Sequence, residues 1–237
     1  MINFHIISCG WKCEKELKLC IKSVDSQTYP HWKHTVIEDG VGCVIQQADG
    51  KKRIRMACIG RYGKLYNFHL QVGSIPDNEI ICDLDIDDYL LPNALETVAE
   101  VYEKYPETLI THGSYQMLSG RPARFNGAYN NDNFRGQKFT GTHFKTFRAG
   151  LFKKIKVKDF KAPDGHFLMT CADMAMMFPM LEMAGLDRIK FINKPLYIYN
   201  DLNNLNDHKV PPAIPGHEQK TLERYLRKKP KYRRIDW

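Results

Sequence analysis

Glu79-Ile-Ile-Cys-Asp-Leu-Asp-Ile-Asp-Asp88 is the stretch on which the reading of this chain turns. A short apolar run ends in four carboxylates within six positions: Asp83, Asp85, Asp87 and Asp88. A buried strand tolerates such charges only where it leaves the core, and their mutual repulsion there favours a hard cation. In a chain of formal charge +8, an acidic cluster at a strand's end points to a metal that in turn holds a phosphate. The same residues also fit an exposed acidic turn that complements the dipole of a helix opening at Pro92.

Outward from this stretch, strand and helix patterns alternate. Phe4 to Ile7 predicts a strand, and Glu14 to Asp25 a helix with Leu17, Cys20, Ile21 and Val24 on one face. Thr35 to Ile37 predicts a second strand, ending at Glu38-Asp39-Gly40, and Arg53 to Cys58 a third after a polar Gln46–Lys52 turn. Leu65 to Val72 has helical spacing, Glu79 to Cys82 is a strand, and Ala94, Leu95, Val98, Val101 and Tyr102 face inward from the helix after Pro92. Leu109 to Thr111 is another strand, and Arg121 to Gln137 a long polar loop. Ala172 to Ala184 is an apolar helix whose methionines fill the core; Ile189–Ile192 and Leu196–Tyr199 close the sheet. Repeated strand–helix units imply an α/β fold, a mainly parallel sheet with helices on both faces and a small antiparallel portion. Ligands of such sheets gather at the carboxyl ends of the strands, where Asp39 and the Asp83–Asp88 cluster both fall.

At 237 residues, 43% hydrophobic and 11% aromatic, the chain supports a substantial core. Its seven cysteines, scattered from Cys9 to Cys171, form no disulfide framework and no zinc set, as expected of reduced thiols in a cytoplasmic protein. No segment approaches the roughly 18 apolar residues of a membrane span, and Ile2 to Ile7 reads as strand rather than leader. Glu218 to Trp237 holds eight Lys/Arg against three acids, a basic extension carrying +5 of the total. It reads either as a solvated, partly frayed tail or as a surface for anionic partners, a membrane surface among them.

Several carboxylates could carry chemistry. Asp85 and Asp87, two apart on an extended end, face one side and can grip one divalent ion. A departing nucleoside diphosphate needs such an ion. Asp39 could accept the imide N–H of a base, although alone it reads as a turn residue. Asp173, opening the methionine-rich helix, is either an N-cap or a general base made more basic by apolar neighbours. His143 and Asp164 belong to the same weighing; His208, Lys209 and the basic run from Arg227 to Arg234 could swing over a diphosphate.

Together these features resemble the family 2 glycosyltransferases, which have the nucleotide-sugar-binding GT-A fold. The resemblance rests on Phe4-His-Ile-Ile-Ser8, Leu19-Cys-Ile-Lys-Ser-Val24, Gln27-Thr-Tyr-Pro30, Glu38-Asp-Gly40, Asn67 and Leu84-Asp-Ile-Asp-Asp88 with its trailing Tyr-Leu-Leu-Pro-Asn-Ala-Leu95. Thr111-His-Gly-Ser-Tyr115, His143-Phe-Lys-Thr-Phe147, Pro179 to Gly185 and Leu196-Tyr-Ile-Tyr-Asn200 extend it over about 1–208. It implies one domain over 1–217, with 1–115 the nucleotide half and 116–217 the acceptor half, followed by the extension 218–237. Ser8, Asp39, Asn67 and Asp85 would contact the donor, Asp87, Asp85 and His208 would hold Mn²⁺ or Mg²⁺, and Asp173 would be the catalytic base. The implied reaction is inverting transfer from a nucleotide-diphospho-sugar, UDP-sugar first, to a hydroxyl of a glycan, lipid or protein-linked acceptor. Ser8-Cys-Gly-Trp11, Glu38-Asp39 and Ala172 depart from the family's pattern at positions that bear on the donor. A nucleotidyltransferase fits less well, since residues 8–13 lack a Gly-rich triphosphate loop. A binder of anionic surfaces or nucleic acid through the basic tail is the non-enzymatic alternative; with the transferase reading no nucleic acid is expected.

Overall fold

The parallel core of the sheet follows from strands buried on both faces. β5 (Ile80–Asp83) is buried at every position, and β1 (Phe4–Gly10) at all but two. The structure, a computed structural model, describes residues 1–40, 45–49 by backbone, 52–207 and 209–237. After β1 come α1 (Glu14–Asp25), β2 (Trp32–Glu38), β3 (Ile45–Asp49), β4 (Arg53–Ala57), α2 (Lys64–Val72) and β5. β6 (Tyr89–Leu90), α3 (Ala94–Lys104), β7 (Ile110–Met117), β8 (Thr146–Arg148), α4 (Ala149–Lys153), α5 (Ala172–Ala184), β9 (Ile189–Tyr199) and α6 (Gln219–Lys228) complete the chain.

Among the described residues these strands make one sheet in the order β3-β4-β2-β1-β5-β8-β7-β9-β6. β4, β2, β1 and β5 are parallel, as are β7 and β9. β8 is wedged antiparallel between β5 and β7, and β3 and β6 are antiparallel edges. Alternation along each strand separates two cores. Ile7, Cys9 and Ile81 pack with α2, α4, α5 and α6; Phe4, Ile6, Ile80 and Cys82 pack with α1 and α3. The expected α/β architecture, with helices on both faces, is what forms.

Three local expectations change. Gln46–Lys52 is not simply a turn, because residues 45–49 pair with β4 through backbone groups, which need no apolar pattern. The two closing strands are one, β9, whose register against β7 slips around Ser114 and passes Pro195 at the irregularity. The C-terminal residues are docked rather than frayed. Leu222 and Leu226 are buried, and the Ile235 amide donates to the Met183 carbonyl at 3.1 Å. The Tyr232 hydroxyl donates to Asp159 at 2.5 Å, and Arg188 donates to the Ile235 carbonyl at 2.9 Å. Beneath this segment Arg135 pairs with Glu182 at 2.6 Å, both buried, and also donates to the Leu226 carbonyl.

That buried pair makes docking of the tail testable. Glu182→Gln strands a guanidinium in the core and should cost about 3–5 kcal/mol in urea unfolding, whereas Arg135→Met with Glu182→Leu should recover most of that loss.

Candidate active site

The carboxyl ends of β1, β2 and β5 open into a cleft of about 890 Å³, lined by Asp39, Asn67, Asp85, Asp87 and Asp173 among others. Close approach of the chain here depends on two glycines. A Cβ on Gly10 would lie 2.8 Å from that of Ile86, so β1 can run against the acidic turn only without one. Gly63 has φ +84° and begins α2, and its amide and that of Tyr62 donate to the Asp39 carboxylate at 2.8 and 3.0 Å. Asp39 therefore shapes the wall of the cleft before it binds anything. Arg61 stacks on Trp11 across that wall, 3.8 Å from the ring centroid. Asn67 is 3% exposed; its Oδ1 accepts from the Cys58 thiol at 3.6 Å, and its Nδ2 has no partner among the described residues.

The floor is a knot of opposite charges. Lys145, 1% exposed, bridges Asp83 at 2.8 Å and Asp173 at 2.7 Å. Lys64, from the first turn of α2, bridges Asp83 at 2.8 Å and Asp85 at 2.7 Å and lies 3.9 Å from Asp173. Burial pushes the Asp173 carboxyl up, but Lys145, Lys64 and His143 outweigh it and hold the group at about 2. The expected rise in basicity is thereby corrected: the groups that face Asp173 are ammonium ions, not apolar side chains. Asp85 is raised to about 6, by burial first and the Asp83 and Asp173 charges next, with Lys64 opposing. Asp88 is 1% exposed and rises well above the carboxylate range through burial and the charges of Asp87 and Asp85.

Not every expected residue reaches the cleft. Ser8 is fully buried on the α1 face, the wrong side of the sheet, and its hydroxyl is spent on His34 Nε2 at 2.9 Å. It is removed from the donor set. Asp164 lies elsewhere, 3.1 Å from His217 and 3.3 Å from His166. His208 falls outside the described residues. Asp87 does line the cleft and accepts from Asn203 at 2.7 Å. Sequence reading missed Lys64 and Lys145 and set Asp83 aside. The signal for Lys145 was a lone cation between the aromatic residues Phe144 and Phe147.

The donor set suits a hard divalent cation. Besides Asp87, single ligand atoms of Asp85, Asp88 and His143 all lie within 4.8 Å of one another, two carboxylates and an imidazole. No family model and no curated protein matches the sequence. Solved structures do. S. aureus TarS superposes with TM-score 0.62 at 16% identity over 84% of this chain and 37% of its own. TarS 1–349 in complex with UDP-GlcNAc gives 0.61 at 15%, over 84% of this chain and 59% of its own. The mannosyltransferase PcManGT from Pyrobaculum calidifontis, in complex with GDP-Man and Mn²⁺, gives 0.54 at 14%, over 83% and 56%. The chain has the GT-A fold. It spans from about a third to three fifths of the length of these structures. Among its described residues no helix is long and apolar enough to cross a membrane.

Two predictions follow from the buried charges. Lys145→Met removes one of the lysines that Asp83 and Asp173 share and should destabilise by about 3–5 kcal/mol, partly restored by adding Asp83→Asn; urea titration of the three proteins measures this. The second concerns His34, whose Nδ1 accepts from Arg53 while Nε2 faces the Ser8 hydroxyl, so the ring is neutral. Burial, then the Arg53 charge, lowers it from 6.5 to about 3. The unfolded chain binds this proton below 6.5 and the folded chain does not, so stability falls with acidification across that window. The stability advantage of wild type over His34→Gln should shrink by about 1.4 kcal/mol per pH unit between pH about 6 and about 4.

Proposed function

We propose that the chain is an inverting, metal-dependent glycosyltransferase that moves a sugar from a nucleotide-diphospho-sugar, UDP-sugar first, to a hydroxyl acceptor. The observation that carries this reading is the convergence of Asp39, Asn67, Asp85, Asp87 and Asp173 on one cleft at the strand ends of a GT-A fold. The UDP, UDP-GlcNAc and GDP-Man bound by the fold's neighbours support a nucleotide-sugar donor. Residues 1–115 would form the donor half and 116–217 the acceptor half.

Asp39 would accept the imide N–H of the base through lone pairs left free by the Tyr62 and Gly63 amides. The amide of Asn67, unpartnered among the described residues, and the Arg61–Trp11 stack flank the same wall and would complete the donor contacts. A divalent cation, Mn²⁺ or Mg²⁺, held by Asp87 and Asp85 would neutralise charge developing on the departing diphosphate. Asp173 would orient the acceptor hydroxyl, whose oxygen bonds to the anomeric carbon as the carbon–phosphate oxygen bond breaks. The proton passes to Asp173 and the electron pair leaves with the nucleoside diphosphate. A carboxylate held at about 2 is a weak base towards a free alcohol. It becomes competent once the new C–O bond has made that hydroxyl strongly acidic, so transfer is late. The acceptor would be a glycan, a lipid-linked or a protein-linked hydroxyl. The exposed Lys220, Arg224 and Lys228 on α6 offer a peripheral contact with an anionic membrane surface.

A thermal-shift series with UDP-, GDP- and dTDP-sugars, with and without Mn²⁺, should select one nucleotide and show metal dependence. Asp87→Ala should lower single-turnover release of the nucleoside diphosphate by about 10²–10³. Asp173→Asn should lower it by about 10²–10⁴ without weakening donor binding. Near-native turnover in Asp173→Asn beside an inactive Asp87→Ala would withdraw the base assignment.

A further inference from the structure

We infer that His143, set among aromatic rings in the acceptor half, is a ligand of the cation and shares it with Asp85 and Asp88. This rests on the metal-dependent reading above and adds ligands to it that the acidic run alone does not supply. The geometry begins with convergence: one ring nitrogen of His143 and one oxygen each of Asp85 and Asp88 lie within 4.8 Å of one another. Atoms bonded to one ion at about 2.1 Å stand no more than about 4.2 Å apart, so only a small contraction closes the set.

The imidazole is held as a ligand is held. It stacks between Tyr197 and Tyr199, with centroids 5.0 and 4.8 Å away and planes inclined 23° and 24°. Tyr115 meets it edge-on at 5.0 Å. Three aromatic rings thus fix its position, while neither ring nitrogen makes a hydrogen bond among the described residues. His143 lines the cleft, where an imidazole held by its faces has its nitrogens left for a cation.

The second ligand is held by the same scaffold. The Tyr197 hydroxyl donates to Asp88 Oδ2 at 2.5 Å, and the Asn200 amide donates to Oδ1 at 2.7 Å. Tyr197 therefore orients the carboxylate with its hydroxyl and the imidazole with its ring, the outer-sphere support that metal ligands require. Each Asp88 oxygen keeps a lone pair for a cation. Asp85, 27% exposed, lines the cleft together with His143 and Asp87.

Pulsed EPR of the full chain with Mn²⁺ alone tests the assignment without reference to turnover. Wild type should show nitrogen modulation from one coordinated imidazole, and labelling with ¹⁵N-histidine should change it to the ¹⁵N pattern with no mutation made. His143→Gln should abolish the modulation and weaken Mn²⁺ binding by about 10–100-fold, while His166→Gln, at an exposed ring beside Asp164, should leave both intact. Tyr197→Phe should weaken Mn²⁺ by about 10-fold with the modulation retained. Bound Mn²⁺ without nitrogen modulation, or modulation that survives in His143→Gln and vanishes in His208→Gln, would overturn the role given to His143. If Mn²⁺ fails to bind even with UDP present, the metal-dependent reading falls, and the ligand assignment falls with it.

Discussion

Two lysines, Lys145 buried and Lys64 at the edge of the cleft, facing three aspartates are the constraint on which this molecule is built. Asp83 ends the central strand β5, Lys64 opens α2, Lys145 precedes β8, and Asp173 lies in the first turn of α5. Any one of these charges taken alone from water would cost several kcal/mol, so none can be buried unless the others arrive. The knot therefore ties both halves of the chain to one register. The chain leading into β8 cannot shift on the sheet without exposing Lys145, nor can α2 shift without freeing Asp83 and Asp85 together. Counted over the knot, three carboxylates face two ammonium groups, and Asp87 and Asp88 stand beyond it. The floor of the cleft keeps a negative surplus in a protein whose formal charge is +8.

The strand ends were legible because burial leaves a plain trace. Ile80, Ile81 and Cys82 can only be core, and carboxylates that follow such a run can only stand at its exit. From this the parallel sheet, the cleft at its carboxyl edge, and Asp39 and Asp85 on that edge could all be read. Asp83 could not, because a carboxylate inside a core is intelligible only once its two lysines are seen, one 19 residues before it and one 62 after it. Ser8 failed for the opposite reason. It lies one residue from Cys9, which does line the cleft, and in a strand one residue is the difference between faces. The two-residue β6 and the edge strand β3 left no periodic trace, because their order comes from backbone pairing with β9 and β4.

The remaining walls are set by contacts made late in the chain. Asn200 and Asn203 fasten the segment after β9 to Asp88 and Asp87, so the loop over the cleft is attached to the acidic turn itself. Asp201 extends the attachment to the Ser119–Arg121 turn through Ser119 at 2.6 Å and Arg121 at 2.5 Å. On the far side the docked tail supports α5, which has apolar residues all round and needs a cover on its outer face. Leu222 and Leu226 supply that cover, and the buried Arg135–Glu182 pair fixes its position. The basic residues of α6 are in this sense a consequence of packing: two leucines turned inward leave Lys220, Arg224 and Lys228 turned out.

Lys64 would set the terms on which a cation enters. Its ammonium already lies 2.7 Å from Asp85 and 2.8 Å from Asp83, and it is 16% exposed at the edge of the cleft. A divalent ion taking the same oxygen of Asp85 would compete with that ammonium, which keeps Asp83 as its partner. The displaced ammonium stays tethered to the first turn of α2 and remains attached to Asp83. There it faces the same cleft as the ion that replaced it, so an anionic ligand held by that ion would meet both charges at once. Cation and anion binding would then be coupled through a single lysine, each improving the position of the other.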